Sequence, residues 1–353
     1  MIRVAQWGTG NVGRQALAGI AARPDLELVG VWVSDPAKVG RDAGDLAGTD
    51  QTWGVAATDD ADALLALAPD CVVYACMADD RLPDSLADLA RILRAGVNVV
   101  SSAPVFLQFA DGLPEALTDP VRQAALDGGV SLWVNGIDPG FANDALPLTL
   151  TGISERIDEL RCMEIVNYAT YRQAGVIFDI MGFGRPLEDT PLLLQPGVLT
   201  LAWGGVVRQL AAGLDVELDA VEESYTRLPA PETFEIAAGT VPAGTAAALR
   251  FEVRGMRGGR AVLVLEHVTR LRDDLAPDWP QPAGRSCYRI EVRGEPAYTL
   301  DLQITAGDGD HNTGGLKATA MRLVNAVPAV VAAPPGLLSA LDLPLVAGRG
   351  LVR

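Results

Sequence analysis

The chain is poor in the residues that build metal and disulfide sites. It has two histidines, four cysteines and 5% aromatic residues in 353 positions. With only His267 and His311 available, a zinc site based on histidine is not expected. The cysteines (Cys71, Cys76, Cys162 and Cys287) are scattered, and three of them fall in apolar stretches. They read as reduced, buried thiols, without a disulfide frame or a metal site. Cations are also short, with 28 Lys and Arg against 45 Asp and Glu, a net charge of −17. Such a surface repels phosphate backbones, which argues against a nucleic-acid partner. No run of about 18 apolar residues suggests a membrane span. The first strand begins at Ile2, which leaves no room for a secretory leader, so a cytoplasmic location is expected.

What is present is a globular chain, 49% apolar and 21% charged, long enough for two domains. Its most informative stretch comes first. An apolar strand over 2–7 runs into Gly8-Thr9-Gly10-Asn11-Val12-Gly13, and a helix through about Ala22 follows. G-x-G-x-x-G between a strand and a helix is the context of a dinucleotide fingerprint. Gly8 permits the tight turn, Gly10 lets a pyrophosphate approach the backbone, and Gly13 lets the helix pack on the strand. The first N–H groups of the helix then face the phosphates.

A second apolar strand over 26–33 ends in Ser34, Asp35, Lys38 and Arg41. A carboxylate here favours a free ribose 2′-hydroxyl, whereas Ser, Lys or Arg favours a 2′-phosphate. The signals conflict, with a slight lean to NADP over NAD. Asp35-Pro36 also suits a simple turn.

Strand and helix then alternate: strands over 52–57, 71–76, 97–102 and 130–134, helices over 60–68, 83–95 and 114–126. This pattern implies a parallel, doubly wound Rossmann sheet whose ligand lies beyond the strand C-termini. Cys76, Met77, Ser102 and Ala103 are expected beside the cofactor. Asp138-Pro139 reads as an N-cap with Pro at the first position of a helix to about Leu150. A site for an anion or nicotinamide, or a plain helix start, fits it equally.

From about Glu155 the grammar changes. A long strand over 156–169 is followed by helices over 176–183 and 198–212. The latter carries Trp203, Val206, Val207 and Leu210 at helical spacing, a core face. Alternating strands follow over 216–228, 233–237, 247–254, 261–271, 286–292 and 297–305, with a Gly258-Gly259 hairpin. This is a second, α+β domain on a mostly antiparallel open sheet. Its uncovered face suggests a homodimer. An Ala-rich helix over 314–331 returns to the nucleotide domain. The domains are read as 1–152, 153–312 and a closing segment 313–353.

Several stretches together resemble one family: Gly8 to Gly13, Val39-Gly-Arg-Asp-Ala-Gly-Asp-Leu-Ala-Gly48, Gly136-Ile-Asp-Pro-Gly-Phe141, Ala318-Thr-Ala-Met-Arg-Leu-Val-Asn-Ala-Val-Pro328, Ala333-Pro-Pro-Gly336 and Leu341-Asp-Leu-Pro344. The chain is similar to the group of 2,4-diaminopentanoate dehydrogenase and the native amine dehydrogenases, whose first domain resembles that of dihydrodipicolinate reductase. The resemblance implies an NAD(P)-dependent oxidoreductase, a dimer through the sheet domain and a substrate cleft between domains. In that chemistry a ketone and ammonia form an imine, which takes hydride from the nicotinamide. A family glutamate soon after the strand ending in two hydroxyl residues holds the ammonia or amine. Here Ser101 and Ser102 are present, but Ala103, Pro104 and Val105 stand where the glutamate is expected. This departure leaves open a carboxylate supplied from elsewhere, a C=O or C=C substrate, or a catalytically silent dinucleotide-binding sensor.

Candidates for the chemistry are Glu164, Tyr168 and Tyr171 on and after the first strand of the second domain. Either tyrosine suits proton donation or plain packing. Phe178, Met181 and Phe183 form an apolar pocket wall or a core face. Pro104, Val105, Asp138, Phe141 and His311 are further pocket candidates. His311 lies in the polar stretch Gly307-Asp-Gly-Asp-His-Asn312, where an exposed loop position is the simpler reading. His267, on an alternating strand, reads as structural or as part of a dimer surface. Asn325 suits a hydrogen bond to the nicotinamide amide or a turn cap.

Overall fold

The computed structural model describes residues 1–79 and 81–352. The chain divides into two units, Met1–Ile137 with Leu316–Arg353, and Asp138–Gly315.

In the first unit the elements alternate as read from the sequence: β1 (Ile2–Trp7), α1 (Asn11–Ala21), β2 (Leu26–Trp32), α2 (Ala43–Ala47), β3 (Ala57–Thr58), α3 (Ala61–Leu65), β4 (Cys71–Tyr74), α4 (Leu82–Arg94), β5 (Asn98–Ser101), α5 (Glu115–Gly128) and β6 (Ser131–Val134). The strands order as β3-β2-β1-β4-β5-β6, every pair parallel. The order reverses between β1 and β4. That switch point is where a doubly wound sheet opens a crevice beyond its strand ends. Trp7, Trp32 and Tyr74 lie level across it, and the Trp7 and Trp32 rings stack at 4.8 Å. Most of the strand expected over 52–57 is irregular. Its backbone is occupied by Asp42, whose carboxylate accepts from the N–H groups of Gly44, Trp53 and Gly54.

The second unit contains α6 (Ala145–Thr151), β7 (Arg156–Asn167), α7 (Val198–Gly213), β8 (Ala220–Pro229), β9 (Phe234–Ile236), β10 (Gly239–Val241), β11 (Ala246–Arg257), β12 (Arg260–Arg270), β13 (Cys287–Glu295), β14 (Tyr298–Leu302) and the start of α8 (His311–Val331). Six strands form one sheet in the order β14-β13-β7-β12-β11-β8, antiparallel except between β7 and β12. Gly258 and Gly259 turn the β11–β12 hairpin at φ +58° and +74°, the left-handed pair that such a tight turn requires. One face is apolar and packs under α7, with Leu160, Leu249, Val253, Leu263, Leu265 and Ile290 in the core. Because α7 has no capping side chain of its own, Glu223 of β8 accepts from the N–H groups of Gly197 and Thr200. The other face carries a small apolar cluster of Met163, Ile165, Val268 and Cys287 beside a charged stretch. Arg161 contacts Glu159, Glu252 and Glu266, and Arg250 reaches Glu266 at 2.7 Å.

Three boundaries differ from expectation. The segment 138–152 belongs with the sheet unit rather than the nucleotide unit. Leu146, Leu148 and Leu150 of α6 pack on that unit's core, and the Tyr298 hydroxyl donates to the Leu150 carbonyl at 2.9 Å. Second, α6 starts at Ala145 behind Asp144, so Asp138-Pro139 opens no helix. Third, the 176–183 helix is a short π-helical turn, Gly175–Ile180. At the far end, α8 buries Ala320, Leu323, Val324, Val327 and Val330 against Val4, Val73, Val100 and Trp133 of the first sheet. A further parallel strand, β15 (Gly336–Leu338), then pairs with β6, a contact with no periodic signal because it spans three residues after two prolines.

Candidate active site

The first unit holds the dinucleotide-type turn. Gly8 sits at φ +89°, and a Cβ there would lie 2.7 Å from the Cys76 sulfur. A Cβ on Gly13 would stand 2.1 Å from the Gly8 carbonyl oxygen, so the start of α1 seats directly on the turn. Gln6 braces it by donating to the Gly8 carbonyl at 2.8 Å. Gly10 differs: nothing lies within 4 Å of its missing Cβ. It precedes α1, whose N-terminus has no side-chain cap and no acid in its first turn. An open glycine, an uncapped helix end and no nearby carboxylate on the helix fit an anionic pyrophosphate. Asn11 is exposed, and Val12 joins the core below.

At the end of β2, Ser34, Asp35 and Arg41 are exposed. The Asp35 carboxylate accepts from the Ala37 N–H at 2.9 Å and caps a short turn. Lys38 reaches back to Thr9, its ammonium 3.2 Å from the hydroxyl. Beyond β4, burial pushes the Cys76 thiol up to about 11, and Met77 is exposed. Beyond β5, the Ser102 N–H donates to Tyr74, while Ala103 and Pro104 are buried and Val105 opens a turn, Val105–Gln108. No carboxylate occurs in 101–108. Asn325 does not stand free for a nicotinamide. Its oxygen accepts from Arg23 at 2.6 Å, completing a clamp in which Arg23 also holds Asp25.

The second unit holds a buried polar cluster on the apolar face of its sheet. Register sets it out in one row: Phe251 of β11 pairs with His267 of β12, His267 with Glu164 of β7, and Glu164 with Tyr288 of β13. Directly paired residues in adjacent strands point to the same face, so four separated positions become neighbours. His267 Nδ1 is 3.2 Å from a Glu164 oxygen. Its Nε2 is 3.3 Å from Asp138 Oδ1, a charge contact without the alignment of a hydrogen bond. The Trp203 indole donates to the same Asp138 oxygen at 3.1 Å. Phe251 stacks on the imidazole at 4.5 Å, and Trp203 meets it edge-on at 4.9 Å.

Burial would push the His267 pKa down, but the Asp138 and Glu164 carboxylates overturn this and raise it to about 10. The ring is therefore an imidazolium at neutral pH. The Tyr168 hydroxyl donates to Glu164 at 3.5 Å. Burial and the carboxylate hold both the Tyr168 and Tyr288 phenols well above their ordinary pKa. Both residues are half-buried. Among the described residues no group of His, Cys, Asp and Glu is arranged to hold a metal ion.

The expected catalytic residues thus meet in part. Glu164 and Tyr168 touch, and Tyr171 supports them by stacking on Tyr168 at 5.1 Å. Asp138 joins them as a carboxylate facing a histidine, not as a helix cap. Phe183 is a core residue at 1% exposure. Phe178 packs over Gly184 and Gly239, and Phe141 is half-buried. His311 is not an exposed loop residue: it starts α8 and its Nε2 lies 2.5 Å from the Asn167 carbonyl. His267 is the residue that sequence reasoning missed. Its signal was the alternation of β12, which puts His267 on the same face as Leu263 and Leu265, inside the core.

Comparison with known proteins agrees with this architecture. A family model for the 2,4-diaminopentanoate dehydrogenase C-terminal domain matches residues 141–350. An amine dehydrogenase from Streptomyces virginiae is 44% identical over 349 residues, 98% of this chain and 97% of the relative. The structure of an amine dehydrogenase from Mycobacterium smegmatis shares the fold with a TM-score of 0.79 at 22% identity, covering 99% of this chain and 97% of that one. Biliverdin reductase from Synechocystis sp. PCC 6803, in complex with biliverdin and NADP+, matches more loosely, with a TM-score of 0.53 at 14% identity over 92% and 90% of the two chains. The protein is an oxidoreductase with a Rossmann-type first unit and a mixed-sheet second unit. It belongs to the family of amine dehydrogenases and 2,4-diaminopentanoate dehydrogenase.

Proposed function

We propose that the protein is a nicotinamide-dinucleotide-dependent amine dehydrogenase that interconverts a small, mainly apolar amine with the corresponding ketone and ammonia. The observation that carries this reading is the buried Glu164 carboxylate, held 3.2 Å from the His267 ring. Residues 103–105 carry no carboxylate, so Glu164 is the group we assign to the amine nitrogen.

A bound nicotinamide would accept or supply hydride at its ring carbon. The turn at Gly8 to Gly13, with the free N-terminus of α1, would hold the pyrophosphate. Lys38 and Arg41 favour NADP over NAD, because Asp35 is already engaged in its turn. Glu164 does the work at nitrogen. An alkylammonium ion has no lone pair, so a base must remove its proton before the adjacent carbon can release hydride. Glu164 passes that proton on to solvent, and the restored carboxylate then pairs with the iminium cation until water adds to its carbon. Tyr168 and Tyr288, neutral at working pH, donate to Glu164 and orient it. The relative's amine dehydrogenase activity supports the C–N reading over plain carbonyl or alkene reduction.

The outer face of the second sheet, with Arg161 and Arg250 bound to Glu266, is the surface we assign to a homodimer; sedimentation tests it. Turnover tests the main reading. NADPH consumption with a panel of ketones is expected only when ammonia is present, and NADP+ reduction only with amines. Equal ketone reduction without ammonia would overturn it.

A further inference from the structure

We propose that His267 is a positioning residue: a ring clamped between Asp138 and Glu164, which fixes the Glu164 carboxylate in place without itself exchanging a proton during turnover. This rests on the reading of Glu164 as the group that meets the substrate nitrogen.

The geometry argues for a fixed ring and against a proton shuttle. A shuttling histidine needs one nitrogen free to face substrate or water. Here both nitrogens face carboxylates, at 3.2 and 3.3 Å, and the residue is 5% exposed. Phe251 stacks on one ring face and Trp203 abuts the ring, so the imidazole is packed on both sides of the clamp. Trp203 also holds Asp138 from α7, so the clamp has its own brace. Without His267, Asp138 and Glu164 would be two carboxylates in one buried site, and one of them would take up a proton. The remaining titratable neighbours do not replace the cation. Tyr168 and Tyr288 face Glu164 as neutral phenols, while Cys162, with its thiol raised by burial, lies near Asp138 and Asp144. The clamp leaves Glu164 one role, at the substrate, and leaves His267 none there.

The chain has two histidines, so selective 15N-histidine labelling yields two imidazoles, assigned by a His311→Gln variant. The His267 ring is expected to stay an imidazolium until the pH approaches 10. A His267 that titrates at its ordinary value of about 6.5 would overturn the clamp directly. Kinetics provide the second arm, as variant-to-wild-type ratios of kcat/KM for amine oxidation at each pH. His267→Asn is expected to raise the acid limb by about one pH unit or more. Asp138→Asn is expected to leave that limb in place or lower it, and to bring down the pH at which His267 loses its proton. Both variants should bind NADPH as the parent does, read by fluorescence. Acid limbs that move the same way in both variants indicate loosened packing and would overturn the proposal. Full activity in Glu164→Gln would instead overturn the reading beneath it, a result the labelling arm separates from failure of the clamp.

Discussion

Glu164 and His267 are direct partners in the register of two parallel strands, and their side chains meet at 3.2 Å on the buried face of the sheet. A carboxylate and an imidazole 103 positions apart thus form one unit. Burying either alone would be costly, since an unpaired charge in the interior is strongly disfavoured.

Glu164→Gln keeps the size and hydrogen-bonding shape of the side chain but removes the base. Amine oxidation is expected to fall by about 10²–10⁴-fold in kcat/KM. Dinucleotide affinity should be unchanged in a fluorescence titration, since the glycine turn lies in the other unit.

Stability should depend on alkaline pH through His267. Its folded pKa, about 10, lies above the ordinary value near 6.5. A raised pKa contributes stability that is fully present below about 6.5 and is lost as pH rises through about 10. The thermal midpoint of the parent should therefore fall over that window by more than that of His267→Gln, measured side by side by calorimetry.

The two glycines of the turn should separate folding from binding. Gly10→Ala adds a methyl where no protein atom lies within 4 Å, so the thermal midpoint should hardly move while NADPH affinity drops about tenfold or more. Gly13→Ala drives a Cβ to 2.1 Å from the Gly8 carbonyl oxygen and should lower both. Equal NADPH affinity in Gly10→Ala and the parent would count against pyrophosphate at this turn.

Asn325→Ala removes an acceptor from Arg23, whose side chain is 3% exposed. A lost hydrogen bond to a charged group costs about 1.5–3 kcal/mol of stability. Denaturant unfolding should show this loss, while cofactor affinity stays at the parent value. A selective loss of affinity would restore Asn325 to the nicotinamide.

The nucleotide unit was legible because its signals are local. Each strand is a short apolar run, each helix an amphipathic one, and the glycine turn is contiguous in sequence. The strand over 52–57 shows the limit. Its apolar content was right, but the Asp42 carboxylate satisfies two of its backbone N–H groups, leaving mainly Ala57 and Thr58 to pair. In the second unit the strands and their hairpin could be read, and Glu164 and Tyr168 were named on the strand that carries them. Asp138 was named for the wrong reason, because a residue before proline looks like a helix cap wherever its carboxylate ends up.

The order of residues alone determined the parallel first sheet, the dinucleotide-type turn, the change to a mostly antiparallel sheet near Glu155 and the family motif around Asn325, since each rests on spacing within a few residues. Tertiary structure alone decided which polar side chains share a site. Parallel pairing of β7 with β12 brings Glu164 to His267, and the loop after β6 brings Asp138 to the same ring. The physical reason is that strand pairing joins residues by register across the sheet, and no property of the intervening chain states which register that is. It also decided the charge of the site. An imidazole on an apolar strand reads as neutral and structural until two carboxylates are found beside it.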